Sequence, residues 1–195
     1  MKNLLIVGAG GIGSWLSFFI HQSVLSEQLN NLYITIADND TVDNKNLGYQ
    51  NFTLDDLTDN KAEIIGKRYN FNIIKKRITK DKMLDGYDCI ISAVDNTIFR
   101  KLLFNYCDIN SVPYWIDLRS EGRSYAAFTK HPSNTLEVML NTIPVEIKST
   151  SCQRDFELRG GIIQTGNVIV AAIGRQLLLN WFRNEPNIPK IISNV

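Results

Sequence analysis

The stretch that constrains this chain most is Gly8-Ala9-Gly10-Gly11-Ile12-Gly13, which follows the apolar run Leu4-Leu5-Ile6-Val7. It fits G-x-G-x-x-G between a strand and a helix. A second apolar strand, Leu32 to Ala37, then ends at Asp38 and Asp40. In this context glycines let backbone approach a phosphate, and the helix that starts there offers free N–H groups and a positive dipole end. An acid at the end of the next strand can accept hydrogen bonds from ribose hydroxyls. The segment predicts a site for an adenine nucleotide, with Gly8, Gly10, Gly11, Gly13, Asp38 and Asp40 as its first candidates. On the glycines alone, a dinucleotide-dependent dehydrogenase fits best.

Further along, strand-like runs alternate with helical ones, the mark of a parallel α/β sheet. The reading is a strand over Asn3–Val7, a helix over Ile12–Gln28 and a strand over Tyr33–Ala37. A polar loop spans Thr41–Asp59. A helix over Lys61–Tyr69 and strands over Asn72–Arg77 and Tyr87–Val94 follow. Then come a helix over Thr97–Cys107 and a strand over Tyr114–Leu118. Ser124–Thr129 and Leu136–Leu140 read as two antiparallel strands around the turn His131-Pro132-Ser133-Asn134. Ile143–Asp155 is irregular. Ile162–Phe182 reads as a long last helix. The expected fold is α/β: a Rossmann-like, mostly parallel sheet with helices on both faces and an antiparallel extension near the C-terminal part. With 195 residues, a single domain over 1–195 is expected.

Charge and cysteine content exclude several classes. There are 21 Lys and Arg against 20 Asp and Glu, so no basic excess points to nucleic acid. Cys89, Cys107 and Cys152 form no C-x-x-C pair, and His21 and His131 stand alone, so no zinc site is expected. No run approaches the roughly 18 apolar residues of a membrane span, and no secretory leader is visible. A reduced, cytoplasmic protein is expected.

Four features after the glycine turn narrow the function. They are Asp38-Asn39-Asp40-Thr41-Val42-Asp43 leading to Asn46-Leu47-Gly48-Tyr49-Gln50; Lys61-Ala62 opening a helix; Asp95-Asn96 with Arg100 four residues later; and Glu121-Gly122 after a strand. In series, over Leu4 to about Phe128, they resemble the ThiF/MoeB family, relatives of ubiquitin-activating enzymes. The residues fit such chemistry in their own right. Lys61 at a helix start is a mobile cation suited to phosphate. Asp95 follows a central strand, where open α/β sheets place ligands and a carboxylate can hold Mg²⁺.

The resemblance implies adenylylation: a carboxylate attacks the α-phosphate of ATP, giving an acyl-adenylate and pyrophosphate. It implies that Asp38 holds the ribose, Asn46 and Gln50 lie near the phosphates, Lys61 contacts them, and Asp95 is the Mg²⁺ and catalytic residue. The partner it implies is a small ubiquitin-like or sulfur-carrier protein ending in glycine. It also implies a homodimer. The last helix gives a reason for that, because Val168, Val170, Leu178, Leu179 and Trp181 are apolar beyond one stripe.

Alternative readings stand beside these. Asp95 can be a helix cap, Lys61 a solvated lysine, Arg100 a salt-bridge partner, and Asp40 and Asp43 loop caps. Cys89 and Cys107 read as core residues. Cys152, in Thr150-Ser151-Cys152-Gln153, lies where thioester-forming relatives carry their cysteine, and equally reads as an ordinary thiol. The chain departs from the family at Tyr49, where an arginine binds phosphate; Arg68 or Arg119 could replace that charge. It also begins at its first strand, with no upstream segment to lend an arginine to a neighbour. The readings left open are an adenylyltransferase, a catalytically weak nucleotide-binding scaffold of the same fold, and an NAD-dependent oxidoreductase.

Overall fold

A computed structural model describes residues 1–110, 113–144, 153 and 158–195. The centre of the molecule is β1 (Lys2–Val7), and the reason lies in its sequence. Leu4, Leu5, Ile6 and Val7 are all buried. In a strand, neighbours point to opposite faces, so four apolar residues in a row need cover on both sides. Leu4 and Ile6 enter one apolar cluster and Leu5 and Val7 the other.

β1 pairs in parallel with β2 (Leu32–Ala37) on one side and β4 (Cys89–Ser92) on the other. The short β3 (Asn72–Ile74) flanks β2, and β5 (Tyr114–Glu121) flanks β4, both parallel. β6 (Ser124–Thr129) folds back antiparallel on β5, and β7 (Lys190–Asn194) is antiparallel to β6. The seven-stranded order is β3-β2-β1-β4-β5-β6-β7. This is the Rossmann-like, mostly parallel sheet with an antiparallel end that the sequence predicts.

Helices cover both faces. α1 (Gly13–Leu25), α2 (Lys61–Tyr69) and the last helix, α5 (Gly166–Phe182), lie on the Leu4/Ile6 side; α3 (Thr97–Ile109) and α4 (Leu136–Asn141) lie on the Leu5/Val7 side. α2 begins where expected because Asn60 accepts a hydrogen bond from the Glu63 N–H (3.0 Å). It stops at Asn70, which takes the left-handed conformation (φ 58°).

Four readings change. Leu136–Leu140 is helical, with Thr135 accepting from the Val138 N–H. β7, which sequence reasoning missed, is the true outer partner of β6. The last helix begins at Gly166, leaving Ile162 and Ile163 exposed before it. Val170, Leu178 and Leu179, which the sequence leaves looking for a subunit contact, are buried within the chain.

Cys89 and Cys107 are buried free thiols. Burial raises both pKa values, that of Cys107 to about 12, so neither is a ready thiolate. No helix among the described residues is long and apolar enough to cross a membrane.

Candidate functional site

The sheet's strand order reverses between β1 and β4, and open α/β sheets leave a crevice at the carboxyl ends of such strands. Here a cavity of about 330 Å³ opens at that point. It is lined by Gly8, Gly10 and Gly11 of the glycine turn, Asp38 to Asp40, Asn46, Tyr49, Gln50, Lys61, Lys76 to Ile78, Ala93 to Asn96, Phe99 and Leu158. Of the residues read from the sequence, Gly8, Gly10, Gly11, Asp38, Asp40, Asn46, Gln50, Lys61 and Asp95 therefore share one space, and Gly13 lies outside its lining.

The glycines do different work. Gly8 has φ 97°, and a Cβ there would meet the Ala93 carbonyl oxygen at 2.6 Å. A Cβ on Gly13 would fall 1.8 Å from the Gly8 carbonyl oxygen. Both are therefore required by the fold, since each lets two backbone segments touch. Gly10 is different: a Cβ there meets nothing within 4 Å, yet the residue lines the cavity. Its missing side chain leaves room for a ligand. Gly10→Ala should leave the melting temperature unchanged and weaken nucleotide binding by about 1–3 kcal/mol, the usual effect of one methyl group too many. A thermal melt beside an ATP titration checks both halves. The first turn of α1 carries no acidic side chain and its N-cap Ile12 makes no side-chain cap, so the helix dipole is left for an anion.

Asp38 fastens this turn to the end of β2. One carboxylate oxygen accepts from the Ala9 N–H (2.6 Å) and the other from the Asp40 N–H (2.8 Å). Burial raises its pKa above the ordinary aspartate value, against the opposing pull of those two N–H groups. Asp40 lies at the cavity rim, and its carbonyl accepts from the Lys61 N–H (2.9 Å) and the Asn60 side chain (3.1 Å). That carbonyl pins the start of α2. Lys61, only 7% exposed, makes no side-chain hydrogen bond or ion pair to another described residue and lines the cavity. It is a held cation and not a solvated one.

Asn46, Tyr49 and Gln50 are all buried. The Tyr49 hydroxyl accepts from Asn46 Nδ2 (3.4 Å) and Gln50 Nε2 (3.0 Å). The Tyr49 carbonyl accepts from Trp15 Nε1 (3.0 Å) and Asn167 Nδ2 (2.9 Å). The phenol is therefore fixed in place, and it adds no charge. Arg68 and Arg119, the expected substitutes for an arginine at 49, are engaged elsewhere. Arg68 pairs with Asp56 (2.7 Å), and Arg119 with Asp117 (2.6 Å). The cations that line the cavity besides Lys61 are Lys45, Lys76 and Arg77. Sequence reasoning passed over Lys76 and Arg77 because a cationic pair after a short strand resembles any solvated turn.

Past the end of β4, on the other side of β1 from Asp38, Asp95 is exposed and lines the cavity. The cap of α3 is Asn96, which accepts from the Ile98 N–H (2.9 Å) and the Phe99 N–H (3.4 Å), so Asp95 is free of that duty. Among the described residues no cluster of three or more His, Cys, Asp or Glu could hold a metal by itself. A lone carboxylate in the same cavity as a glycine turn is instead the kind of group that could hold a cation shared with the phosphates of a ligand, the usual arrangement for Mg²⁺.

Asn167, unremarked in the sequence, is completely buried and donates to the Gly11 carbonyl (2.9 Å) as well as to Tyr49. Gln153 joins it by donating to Asn167 (3.3 Å) and to the Gln164 carbonyl (2.7 Å). Cys152 lies outside the described residues.

The fold has many solved relatives. The Escherichia coli MccB solved with ATP superposes with a TM-score of 0.68 at 18% identity, covering 99% of this chain and 63% of that one. TcdA (CsdL) gives 0.65 at 17% identity, covering 94% and 86%. At these identities the likeness is one of fold. In sequence, the Haemophilus influenzae tRNA threonylcarbamoyladenosine dehydratase is 25% identical over 122 residues, which are 56% of this chain and 44% of that protein. The chain thus spans less than two thirds of the length of MccB and of the dehydratase. The ThiF family model matches residues 2–193. With nearly every residue inside that match and the cavity lined by the motifs that carry the resemblance, the chain belongs to the ThiF family.

Proposed function

We propose that residues 1–195 form a single ATP-binding unit that adenylylates the C-terminal carboxylate of a small ubiquitin-like or sulfur-carrier protein ending in glycine. The observation that carries this reading is that Lys61 and Asp95 line one cavity together with Gly8, Gly10 and Gly11, Lys61 tied to the end of β2 through the Asp40 carbonyl and Asp95 following β4 on the other side of β1. Hydride transfer needs no such cation and carboxylate pair, whereas a triphosphate and its metal do. MccB solved with ATP and with AMPCPP shows that this fold accepts such ligands in a relative.

In the proposed reaction a carboxylate oxygen attacks the α-phosphorus of ATP. The new O–P bond forms as the α–β bridging bond breaks, and pyrophosphate leaves with the electron pair. The glycine turn and the α1 N-terminus hold the phosphates, Asp38 accepts from the ribose hydroxyls, and Asn46 and Gln50 position the phosphate chain. Lys61 neutralises charge that grows on the departing oxygens. Asp95 is the residue that would hold a Mg²⁺ ion here, and such an ion would supply further neutralisation of the phosphates. Catalysis is then positioning and electrostatics. Cys152 would then take the acyl group: its deprotonated sulfur attacks the acyl carbon, the thioester C–S bond forms as the C–O bond to the adenylate breaks, and AMP leaves. The free buried thiols suit the reducing cytoplasm, and a homodimer is part of the reading.

A specific observation favours a second reading. Tyr49 places a neutral phenol at the phosphate wall, which suits a scaffold that binds nucleotide and turns it over poorly.

Titration with ATP, with and without Mg²⁺, and with NAD tests the first claim; ATP–pyrophosphate exchange with the cognate carrier tests the second. Wild type should bind ATP more tightly with Mg²⁺. Asp95→Ala should lose that gain and reduce exchange at least about 100-fold, the scale of one lost electrostatic contact in a transition state. Micromolar NAD binding without ATP binding overturns the reading. ATP binding without exchange selects the scaffold.

A further inference from the structure

Asp117 has no part in the chemistry above, yet it is completely buried in β5 and carries two guanidinium groups. One is Arg100, from the first turn of α3, whose Nε donates to Asp117 at 3.0 Å. The same guanidinium donates through Nη2 to the carbonyl of Val94. Val94 immediately precedes Asp95. The other is Arg119, whose Nε lies 2.6 Å from Asp117. Arg119 also donates to the Thr142 carbonyl and hydroxyl, each at 2.9 Å, and stacks over Phe128.

The loop from Ala93 to Asn96 is thereby held at three points. The Ala93 N–H donates to the Val7 carbonyl (2.8 Å), and the Ala93 carbonyl rests against Gly8. Asn96 caps α3. Arg100 fixes the carbonyl between them, and Asp117 fixes the orientation of Arg100. A guanidinium presents several donors in one rigid plane. It can therefore grip a carboxylate and a carbonyl together, and a lysine ammonium cannot reproduce that fork.

We propose that the Asp117–Arg100 pair positions Asp95 for Mg²⁺–ATP, acting through the Val94 carbonyl as a support one shell away from the metal. This rests on the proposed role of Asp95. Neither residue touches nucleotide: Arg100 and Asp117 are absent from the cavity lining. Outer supports of metal ligands commonly change metal affinity by about 10- to 100-fold when removed.

The test is ATP binding by calorimetry, with and without Mg²⁺, for wild type, Asp95→Ala, Arg100→Lys and Asp117→Asn, each checked by thermal melt. Arg100→Lys should bind metal-free ATP within about twofold of wild type and lose about 10-fold or more of the Mg²⁺-dependent gain. Asp117→Asn keeps the side-chain shape, loosens the same grip, and should lose part of that gain. It carries the test alone if Arg100→Lys does not fold. A purely structural pair would instead weaken ATP equally with and without Mg²⁺, whatever the shift in melting temperature, and that result overturns the proposal. So does a full Mg²⁺ gain in either folded variant. A wild type that gains nothing from Mg²⁺, or an Asp95→Ala that gains as much as wild type, removes the role of Asp95 and the proposal with it; a gain lost only in Asp95→Ala leaves that role standing and removes the proposal alone.

Discussion

Replacing Asp117 with alanine is expected to destabilise the fold by about 3–5 kcal/mol, because it strands two guanidinium groups in a buried site. The Arg100 side chain is 9% exposed and that of Arg119 18%, so water cannot take over the lost partner. Equilibrium denaturation measures the loss. Asp117→Asn should cost less, since its amide oxygen still accepts a hydrogen bond. The same residue sets an acid limit. Burial opposes ionisation of Asp117, and the Arg100 and Arg119 charges outweigh it, so its pKa lies below the ordinary aspartate value. In the folded state the proton is therefore bound less readily than in the unfolded chain. The stabilisation is complete above the unfolded pKa, about 3.9, and is lost as pH falls through the depressed folded value. Wild type should lose stability steeply below pH of about 4, and Asp117→Asn should show a shallower slope there. Equal slopes would remove Asp117 as the source.

Gly13→Ala is expected to cost about 3 kcal/mol, the upper end for an added methyl group, and to abolish measurable nucleotide binding. The reason is what the methyl would strike. The Gly8 carbonyl, 1.8 Å from the added Cβ, is backbone held by the turn that Gly8 itself makes. No rotamer relieves the contact. Either α1 withdraws from the turn or the turn opens, and both remove the anion site. At about 2–4 °C per kcal/mol for a chain of this size, the melt should fall by about 6–12 °C. An unshifted melt would mean that the turn yields at no cost. The contrast with Gly10→Ala separates, within one motif, a glycine the fold needs from one the ligand needs.

How legible this molecule was depends on how local each signal is. β1, the glycine turn, α2 and the strand ending at Asp38 carry their causes within a few residues, so their positions follow from sequence. Leu136–Asn141 did not, because six residues of mixed Leu, Val and Met fit either period, and the Thr135 cap decides the matter only once the chain has turned. β7 is a five-residue strand after Pro189 whose only pairing is to a segment some sixty residues earlier. Nothing near it in sequence announces that partner.

The cavity shows the same division. Asp38, Lys61 and Asp95 stand in motifs, and the structure brings them together. Asp117 left a faint trace, an acid inside the apolar run Tyr114-Trp115-Ile116-Asp117-Leu118. A buried charge in a strand demands a partner, but which arginine serves is a fact of tertiary structure. The fate of Arg68 and Arg119 was likewise invisible until their carboxylates were placed.

The cavity lining has an unequal distribution along the chain. Among the described residues all of it comes from between Val7 and Phe99 except Leu158, while the Asp117 carboxylate that holds Arg100 and the strands that close the sheet come later. Synthesis runs from the N-terminus at roughly 5–20 residues per second. The ribosome therefore makes the half of the molecule that lines the cavity several seconds before the half that braces it, so under the proposed function the ATP of the cell would meet the first half before the second exists.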